Sequence, residues 1–416
     1  MIQNLLLVPS SIREDDIFRH LPTLLNTNTS FHYLYMLEHT FNHLVLTPLN
    51  DQKVCIDKKW STKQNNRYNE LIYELQNELP PKISSNFASL DEQLLQLMVA
   101  KGLYVTKDKE QLKALSNKDP VYKMMKKLLN AQSFQKQWVD KLIPYYDEDN
   151  KRYELTGRWR SYTSYSGRIT AKQLPLTSMP NQMKELMIPY HQKNNLWSLD
   201  LSNAELRFLA AYSRDEQLID DLSNGRDVHS IVGTVFQNHL RHTDTHHNHR
   251  KAAKTFIFAM LYGAGDARLH ETLVKNGYSV NRDEIHQVKR MIFNRYQSIE
   301  AYFQTVESTQ NVNCFFGTIC PMVNMRASQK RNFALQSSIA TSIKILAILA
   351  AEMRLKIVCI IHDELIVEVP KTCPTSWQGE LLTQFTHTIK HFHPALPIEN
   401  ILQIKLHGGY LNNEKL

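Results

Sequence analysis

Asp200 ends the apolar run NLWSLD, and Asp363 sits inside the apolar stretch CIIHDELIVEV. Between them in the chain lies the basic-aromatic segment RKAAKTFIFAMLYG, which begins at Arg250. Two carboxylates on separate apolar segments suit a pair of hard divalent cations, because Mg²⁺ prefers oxygen ligands and binds through a few carboxylates plus phosphate oxygens. Two such ions roughly 4 Å apart activate an attacking hydroxyl and stabilise a leaving pyrophosphate. The basic-aromatic segment supplies what the triphosphate of an incoming nucleotide would need. In this order the three segments describe template-directed nucleotide addition.

That chemistry needs rigid supports. Residues 196–200 form an apolar strand with Asp200 at its end, where a charged side chain is exposed at a sheet rim. Asp363 lies at a turn between apolar strands over 358–361 and 365–369, so the turn is held on a buried hairpin. Arg250, Lys254, Phe258 and Tyr262 fall at i, i+4, i+8 and i+12, along one stripe of a helix. Cations at a helix N-terminus oppose its dipole. They make sense there if an anion sits between them, since the helix end itself attracts phosphate. Phe258 would then meet a sugar and Tyr262 a base, with Gly263 removing bulk beside the base. Taken alone, each segment is equally an ordinary turn, a cap or an amphipathic core helix.

The 416 residues suffice for two or three domains or one multilobed enzyme. Net charge is 49 − 41 = +8, and the stretch from Lys101 to Lys141, with ten lysines and four acidic residues, carries +6 of it. Such a run is either a solvated helical face or a surface for a polyanion. The five cysteines form no CxxC pair, which fits a reducing compartment without structural zinc. In the His-rich run 238–250, His246, His247 and His249 lack the paired spacing of a zinc site, so a polar loop before a helix is expected. The N-terminal LLLV has no charged flank or cleavage-type site and is not a signal peptide. The apolar stretch 343–361 is broken by Lys344, Glu352, Arg354 and Lys356, so no membrane span is expected there.

Helical periodicity dominates the remainder. It predicts helices over 61–79 and 90–100, one opening at Pro120 followed by a long one through Trp138, then 203–212, most of 217–310, and 329–353. YELTGRWRSYTSYSGRIT reads as strands and turns, FFGTICPMV as a hairpin, and NILQIKLHGGYLNN as a strand and a loop.

With these residues assembled, the chain resembles the family A DNA polymerases. LDLSNAELR is similar to the family's motif A, RKAAKTFIFAMLYG to motif B and IHDELIVEV to motif C. TGRWRSYTSYSGR, GRDVH, FNRYQSIEAYF and NFALQSS extend the likeness, and VCIDKKW and NFASLDEQLLQLM resemble the helices that begin the polymerase region. The resemblance covers roughly residues 30–416.

It implies an α+β right-hand polymerase, with an antiparallel sheet in the palm, helical fingers and a helical thumb. Residues 1–30 would be an N-terminal extension, 31–150 N-terminal palm helices and thumb, 151–211 palm with motif A, 212–320 fingers with motif B, and 321–416 palm with motif C. The implied activity is DNA-directed addition of dNTPs to a primer 3′-hydroxyl. Asp200 and Asp363 would bind two Mg²⁺ ions, assisted by the Leu201 carbonyl, with Mn²⁺ able to substitute. Lys254 would be catalytic and, with Arg250 and His229, would hold the triphosphate. Phe258 would pack on the sugar and Tyr262 near the templating base. Glu205 would be the steric gate against a ribose 2′-hydroxyl, with Asn203 beside it at the nucleotide. Arg168 and Gln336 would probe the minor groove, where acceptors are common to all base pairs. Asn332 and His362 would touch DNA near the primer end. The basic thumb, roughly 55–150, would then grip the duplex backbone, so the lysine run becomes part of that surface. The implied partners are primer-template DNA and dNTPs, with no membrane and no processivity-factor loop. A monomer is expected in the cytoplasm, nucleoid-associated in a bacterium or in the host if phage-encoded.

Departures from the family pattern carry further expectations. A polymerase region starting so near the N-terminus leaves no room for a 3′–5′ exonuclease, so no proofreading is expected. A short loop over 103–114 suggests a trimmed thumb tip and distributive synthesis. Ala204 replaces a larger aliphatic residue, which would loosen the nucleotide floor and suits repair, lesion bypass or mobile-element replication. Phe258 in place of Tyr implies discrimination against dideoxynucleotides. A single-subunit phage-type RNA polymerase shares the hand and both aspartates, but Glu205 and Glu364 argue against it. A non-catalytic DNA-binding protein with this fold would not need intact Asp200, Asp363, Lys254 and Arg250.

Overall fold

The structure, a computed structural model, describes the chain from Thr29 to His407 except residues 81–88, 117, 162, 163, 165, 243–247, 315–318 and 323. Residues 1–28, His246, His247 and the tip of FFGTICPMV therefore lie outside the described residues. The chain divides into two compact units. One takes the described parts of 1–52, 157–179 and 191–409, and the other takes those of 53–156 and 180–190.

The first unit holds a four-stranded antiparallel sheet in the order Lys356–Ile361, Glu364–Pro370, Asn194–Leu201 and Leu402–Leu406. The Glu364–Pro370 strand is buried along its length up to Pro370. An uninterrupted Leu-Ile-Val run is what a strand covered on both faces needs. The 26-residue Ala327–Glu352 helix is apolar and long enough to cross a membrane by length and composition, yet 83% of its apolar window is buried inside the protein. Lys344 interrupts that window at 1% exposure. Its ammonium bonds Glu38 at 2.6 Å, and Glu38 also accepts from the Ser161 hydroxyl at 2.8 Å. Burial lowers the Lys344 pKa, and the Glu38 charge opposes that loss. A buried ammonium persists only with such a partner, so the Thr29–Phe41 helix that carries Glu38 is tied to the core. The apolar stretch 343–361 is thus two elements, divided by Arg354 at φ +59.

The second unit has an antiparallel sheet in the order Tyr146–Asp147, Arg152–Leu155, Val54–Asp57 and Met187–Ile188. Its helices are Lys59–Asn77, Leu90–Ala100, Lys109–Leu115 and Pro120–Trp138, closed over fully buried Leu75, Leu94, Met98, Leu112, Met125 and Leu128. Glu92 accepts from the Ser89 N–H at 2.9 Å and starts the Leu90–Ala100 helix.

Three local expectations change. VCID, expected to begin a helix, is the strand Val54–Asp57, because Val54, Cys55 and Ile56 are all buried between two partner strands. The 103–114 segment is only half loop, since Asp108 accepts from the Gln111 N–H at 2.8 Å and caps the Lys109–Leu115 helix. Residues 120–138 form one helix rather than two. Asp119 caps it, Pro120 occupies its first turn, and no later Gly or Pro interrupts its buried face. In the first unit, Asn311–Asn313 pairs with Ile319–Pro321, so only the second strand of this ladder lies within FFGTICPMV, expected to be a hairpin by itself.

Candidate active site

Strand register brings the carboxylates together. In the antiparallel ladder Asp200 lies opposite Glu364, and the Leu201 N–H donates to the Asp363 carbonyl at 3.2 Å. His362 and Asp363 are the two-residue loop between the paired Ile361 and Glu364. His362 takes φ +50, and its N–H donates to the Thr177 carbonyl at 3.1 Å. Asn203, just after the Asp200 strand, takes φ +51. A non-glycine residue held in this region costs roughly 1–3 kcal/mol and persists only where the surroundings over-determine it. Both flanks of the acid pair are therefore constrained backbone.

Arg207 anchors the floor. Its buried guanidinium donates to the carbonyls of Ser202 at 2.7 Å, Pro397 at 2.8 Å and Glu399 at 2.7 Å. Burial lowers its pKa to about 10. These bonds pin the turn after Asp200 to the segment that leads into the Leu402–Leu406 strand.

Electrostatics marks the acid end as short of positive charge. Burial pushes the Asp363 carboxyl above its ordinary value, Arg168 opposes the rise, and the Asp200 charge adds to it. Glu205, in the first turn of the Ala204–Ser213 helix, is raised by burial and then by the Asp363 charge. The Tyr262 hydroxyl donates to Glu205 at 3.5 Å, and burial pushes that hydroxyl up to about 12. Among the described residues no cluster of three or more His, Cys, Asp or Glu could hold a metal. A cation here would rest on Asp200, Asp363, backbone oxygen and substrate, a donor set that fits Mg²⁺ rather than zinc.

The basic-aromatic segment is the His249–Leu261 helix, capped by Asn248 and followed by Tyr262 as its C-cap. Arg250 and Lys254 are exposed, whereas Phe258 and Tyr262 are half-buried. The Lys254 ammonium stands 5.8 Å from the Phe258 ring centre, and the Phe258 and Tyr262 rings stack at 6.3 Å. The His229 ring lies 5.8 Å from Phe258. His229 is 1% exposed, and neither ring nitrogen has a hydrogen-bond partner among the described residues. Burial pushes its pKa down to about 4, Asp227 opposes that, and the Lys254 and Arg250 charges add to it. Gly263 takes φ +71, and a Cβ there would meet the Ser328 Cβ at 2.8 Å, so no larger residue fits.

A continuous row results: His229, Phe258, Tyr262, Glu205, then the Asp363–Asp200 pair. Arg168 is half-buried and acts electrostatically on Asp363, Glu205 and Tyr262. Asn332 and Gln336 lie one helical turn apart on the Ala327–Glu352 helix, and neither bonds the acid pair among the described residues. The Asn332 Oδ1 is buried without a partner. His362 is exposed at the turn. Ala204 is 2% exposed. His249 bonds the Tyr278 hydroxyl at 2.6 Å, a structural contact at the start of its helix.

Sequence reasoning missed Asp227. Its carboxylate accepts from the Arg250 Nε, the Ser230 hydroxyl and the His229 N–H, so it caps the Val228–His239 helix while pairing with the cation expected to hold phosphate. An Asp followed by the helix that opens at Val228 in GRDVH is a capping signal. Glu364 was cited only against a rival enzyme class; it is buried and accepts from Ser198 across the ladder.

Residues 58–399 match the profile of DNA polymerase family A. DNA polymerase I of Lactococcus lactis subsp. cremoris is 27% identical over 287 residues, covering 63% of this chain and 31% of that protein. DNA polymerase I of Geobacillus stearothermophilus is 25% identical over 233 residues, covering 50% of this chain and 26% of that protein. The chain thus spans less than a third of the length of these curated relatives. Among solved structures, the POL domain of Pol1 from M. smegmatis, in complex with DNA primer-template and dNTP, matches with a TM-score of 0.69 over 89% of this chain and 69% of that one, at 18% identity. That likeness is one of fold, an α+β polymerase domain. By its sequence profile, this chain belongs to DNA polymerase family A.

Proposed function

We propose that the chain is a DNA-directed DNA polymerase that adds dNTPs to a primer 3′-hydroxyl. The row from His229 through Phe258 and Tyr262 to Glu205 and the Asp363–Asp200 pair carries this reading. Its basic end suits a triphosphate and its acidic end suits divalent metal. Neutral His229, with both ring nitrogens unpartnered, would donate its N–H to a phosphate oxygen beside Arg250 and Lys254. Phe258 would pack on the sugar. Tyr262 and Glu205 would close the space of a 2′-hydroxyl, with Asn203 holding the turn before the gate helix. Lys254 would neutralise charge on the leaving pyrophosphate.

Asp200 and Asp363, with the Leu201 carbonyl, would hold two Mg²⁺, and Mn²⁺ would substitute. Bound there, the ions would supply activation of the 3′-hydroxyl and stabilisation of the leaving phosphate oxygens. Arg168 and Gln336 would read the minor groove, and Asn332 and His362 would touch the primer end. The four-stranded sheet of the first unit would be palm, the helices within 212–320 fingers, and the helices of the second unit thumb. A monomeric, cytoplasmic enzyme acting in repair, lesion bypass or mobile-element replication completes the proposal.

Primer extension with Mg²⁺, wild type against Asp363→Asn, tests it on DNA and RNA templates and on intact and abasic DNA. Extension with dNTPs by wild type alone is expected. Equal extension by Asp363→Asn, or a preference for rNTPs while Glu205 is intact, would overturn the reading.

A further inference from the structure

The second unit carries a site that nucleotide addition does not use. A cavity of ≈ 830 Å³ is lined there by the first turns of the Lys59–Asn77 helix and by residues within 143–153. That volume lies within the usual range of ligand sites, ~300–1,000 Å³.

Lys58, Lys59 and Lys63 line it, and none makes an ion pair or side-chain hydrogen bond among the described residues. Some other lysines of the unit are paired. Lys53 bonds Glu154, Lys101 bonds Asp119 at 3.0 Å and Lys107 bonds Asp91 at 2.5 Å. Left bare, the arrangement is unfavourable. Lys59 and Lys63 are like charges at i, i+4. The first turn of their helix contains no acidic residue, and the carboxylate at its start, Asp57, accepts from the Lys59 N–H at 2.8 Å rather than pairing with an ammonium group. Glu148 is the one carboxylate among the lining residues. Thr62 and Asn66 share the helix face of Lys59 and Lys63, at i+3 and i+7 from Lys59, and add neutral donors. From the other segment come Ile143, 65% exposed, and the half-buried Tyr146 ring.

Ammonium groups beside an aliphatic and aromatic wall bind single strands without sequence preference, since cations track the backbone while bases rest on apolar faces. We propose that this cavity is a second nucleic-acid site, which binds the phosphodiester backbone of a single strand through Lys58, Lys59 and Lys63, with sugar or base against Ile143 and Tyr146. The carboxylate site plays no part in it, and its readout is binding rather than extension.

Fluorescence anisotropy over a salt series tests it on the full chain. The probes are a labelled oligothymidylate of about twelve nucleotides, within the usual site sizes, and a blunt hairpin duplex. The variant is Lys58→Ala/Lys59→Ala/Lys63→Ala. Single-strand affinity is expected to fall about tenfold. The slope of log K against log salt should become shallower by about 2, since each phosphate contact on a single strand contributes ~0.7. Hairpin affinity should change less than twofold, and the matching triple Arg variant should keep wild-type values. An unchanged single-strand slope would overturn the proposal. Equal losses for strand and hairpin would do the same, by making these lysines part of a duplex grip. Acetylation footprinting of wild type needs no variant to fold. The oligothymidylate should protect the three lysines and pyrophosphate alone should not; protection by pyrophosphate, or by neither, would sink the assignment.

Discussion

The acidic and basic ends of the active site are built on opposite plans. The acidic end stands on the sheet. Asp200 faces Glu364 across a ladder, Asp363 occupies a two-residue loop, and constrained backbone at His362 and Asn203 flanks both. The basic end stands on an exposed helix start, where Arg250 already pairs with Asp227. One end is fixed by register and holds carboxyls that burial and like charge push up against the opposing charge of Arg168. The other is adjustable, with a carboxylate standing where phosphate would bind. Rigidity therefore sits where metal geometry is demanding, and exchangeable ion pairs sit where a substrate must come and go.

If the acid end is committed to metal rather than to stability, Asp363→Asn should cost roughly 10³-fold in kcat, about 4 kcal/mol, while the melting temperature holds or rises. Steady-state primer extension beside a thermal melt measures both, and a parallel loss of stability would erase the contrast. At the basic end, Lys254→Ala should lower kcat/KM for dNTP roughly 10- to 100-fold, the worth of a charged hydrogen bond of about 1.5–3 kcal/mol. Because Lys254 is exposed, its melting temperature should not move. Asp227→Asn should keep the helix cap, as Asn caps as well as Asp, and release Arg250. The expected result is a dNTP KM lower by about fivefold, matching a ~1 kcal/mol exposed ion pair. A higher KM would show instead that Asp227 positions Arg250.

The smallest effects are in melting temperature, and they have opposite signs at the two ends. Asp363 and Glu205 have folded pKa values above their ordinary 3.8 and 4.5. Within that window the native state binds more protons than the unfolded chain, so stability of the metal-free protein falls as pH rises through it. Added Mg²⁺ should therefore raise the melting temperature more at about pH 8 than at about pH 5, and Asp363→Asn should remove the difference. His229 has its pKa lowered from 6.5 to about 4, so on acidification the unfolded chain takes the proton first. Its contribution is present above 6.5 and is lost as pH falls towards about 4. His229→Gln should flatten that limb.

Local signals were strong where a residue's neighbours in sequence are also its neighbours in space. The apolar flanks of Asp363 announce a hairpin, the stripe from Arg250 to Tyr262 announces a helix face, and Ser89 with Glu92 announces a helix start. They were weak where burial comes from distant segments. VCID reads as the start of a helix until Arg152–Leu155 and Met187–Ile188 flank it as strands. Lys344 looks like a break in an apolar run until Glu38, 306 residues away, pairs with it.

The ordered motifs, written in residue types and short spacings, sufficed to name the family and the residues to test, because local periodicity and side-chain chemistry are properties of the chain. Folding alone decided how those residues act on each other. It set Asp200 against Glu364, raised Asp363 by burial and by the Asp200 charge, left His229 neutral, and gave Arg250 a carboxylate partner. Register, desolvation and charge proximity depend on segments far apart in the chain, and no local window contains them.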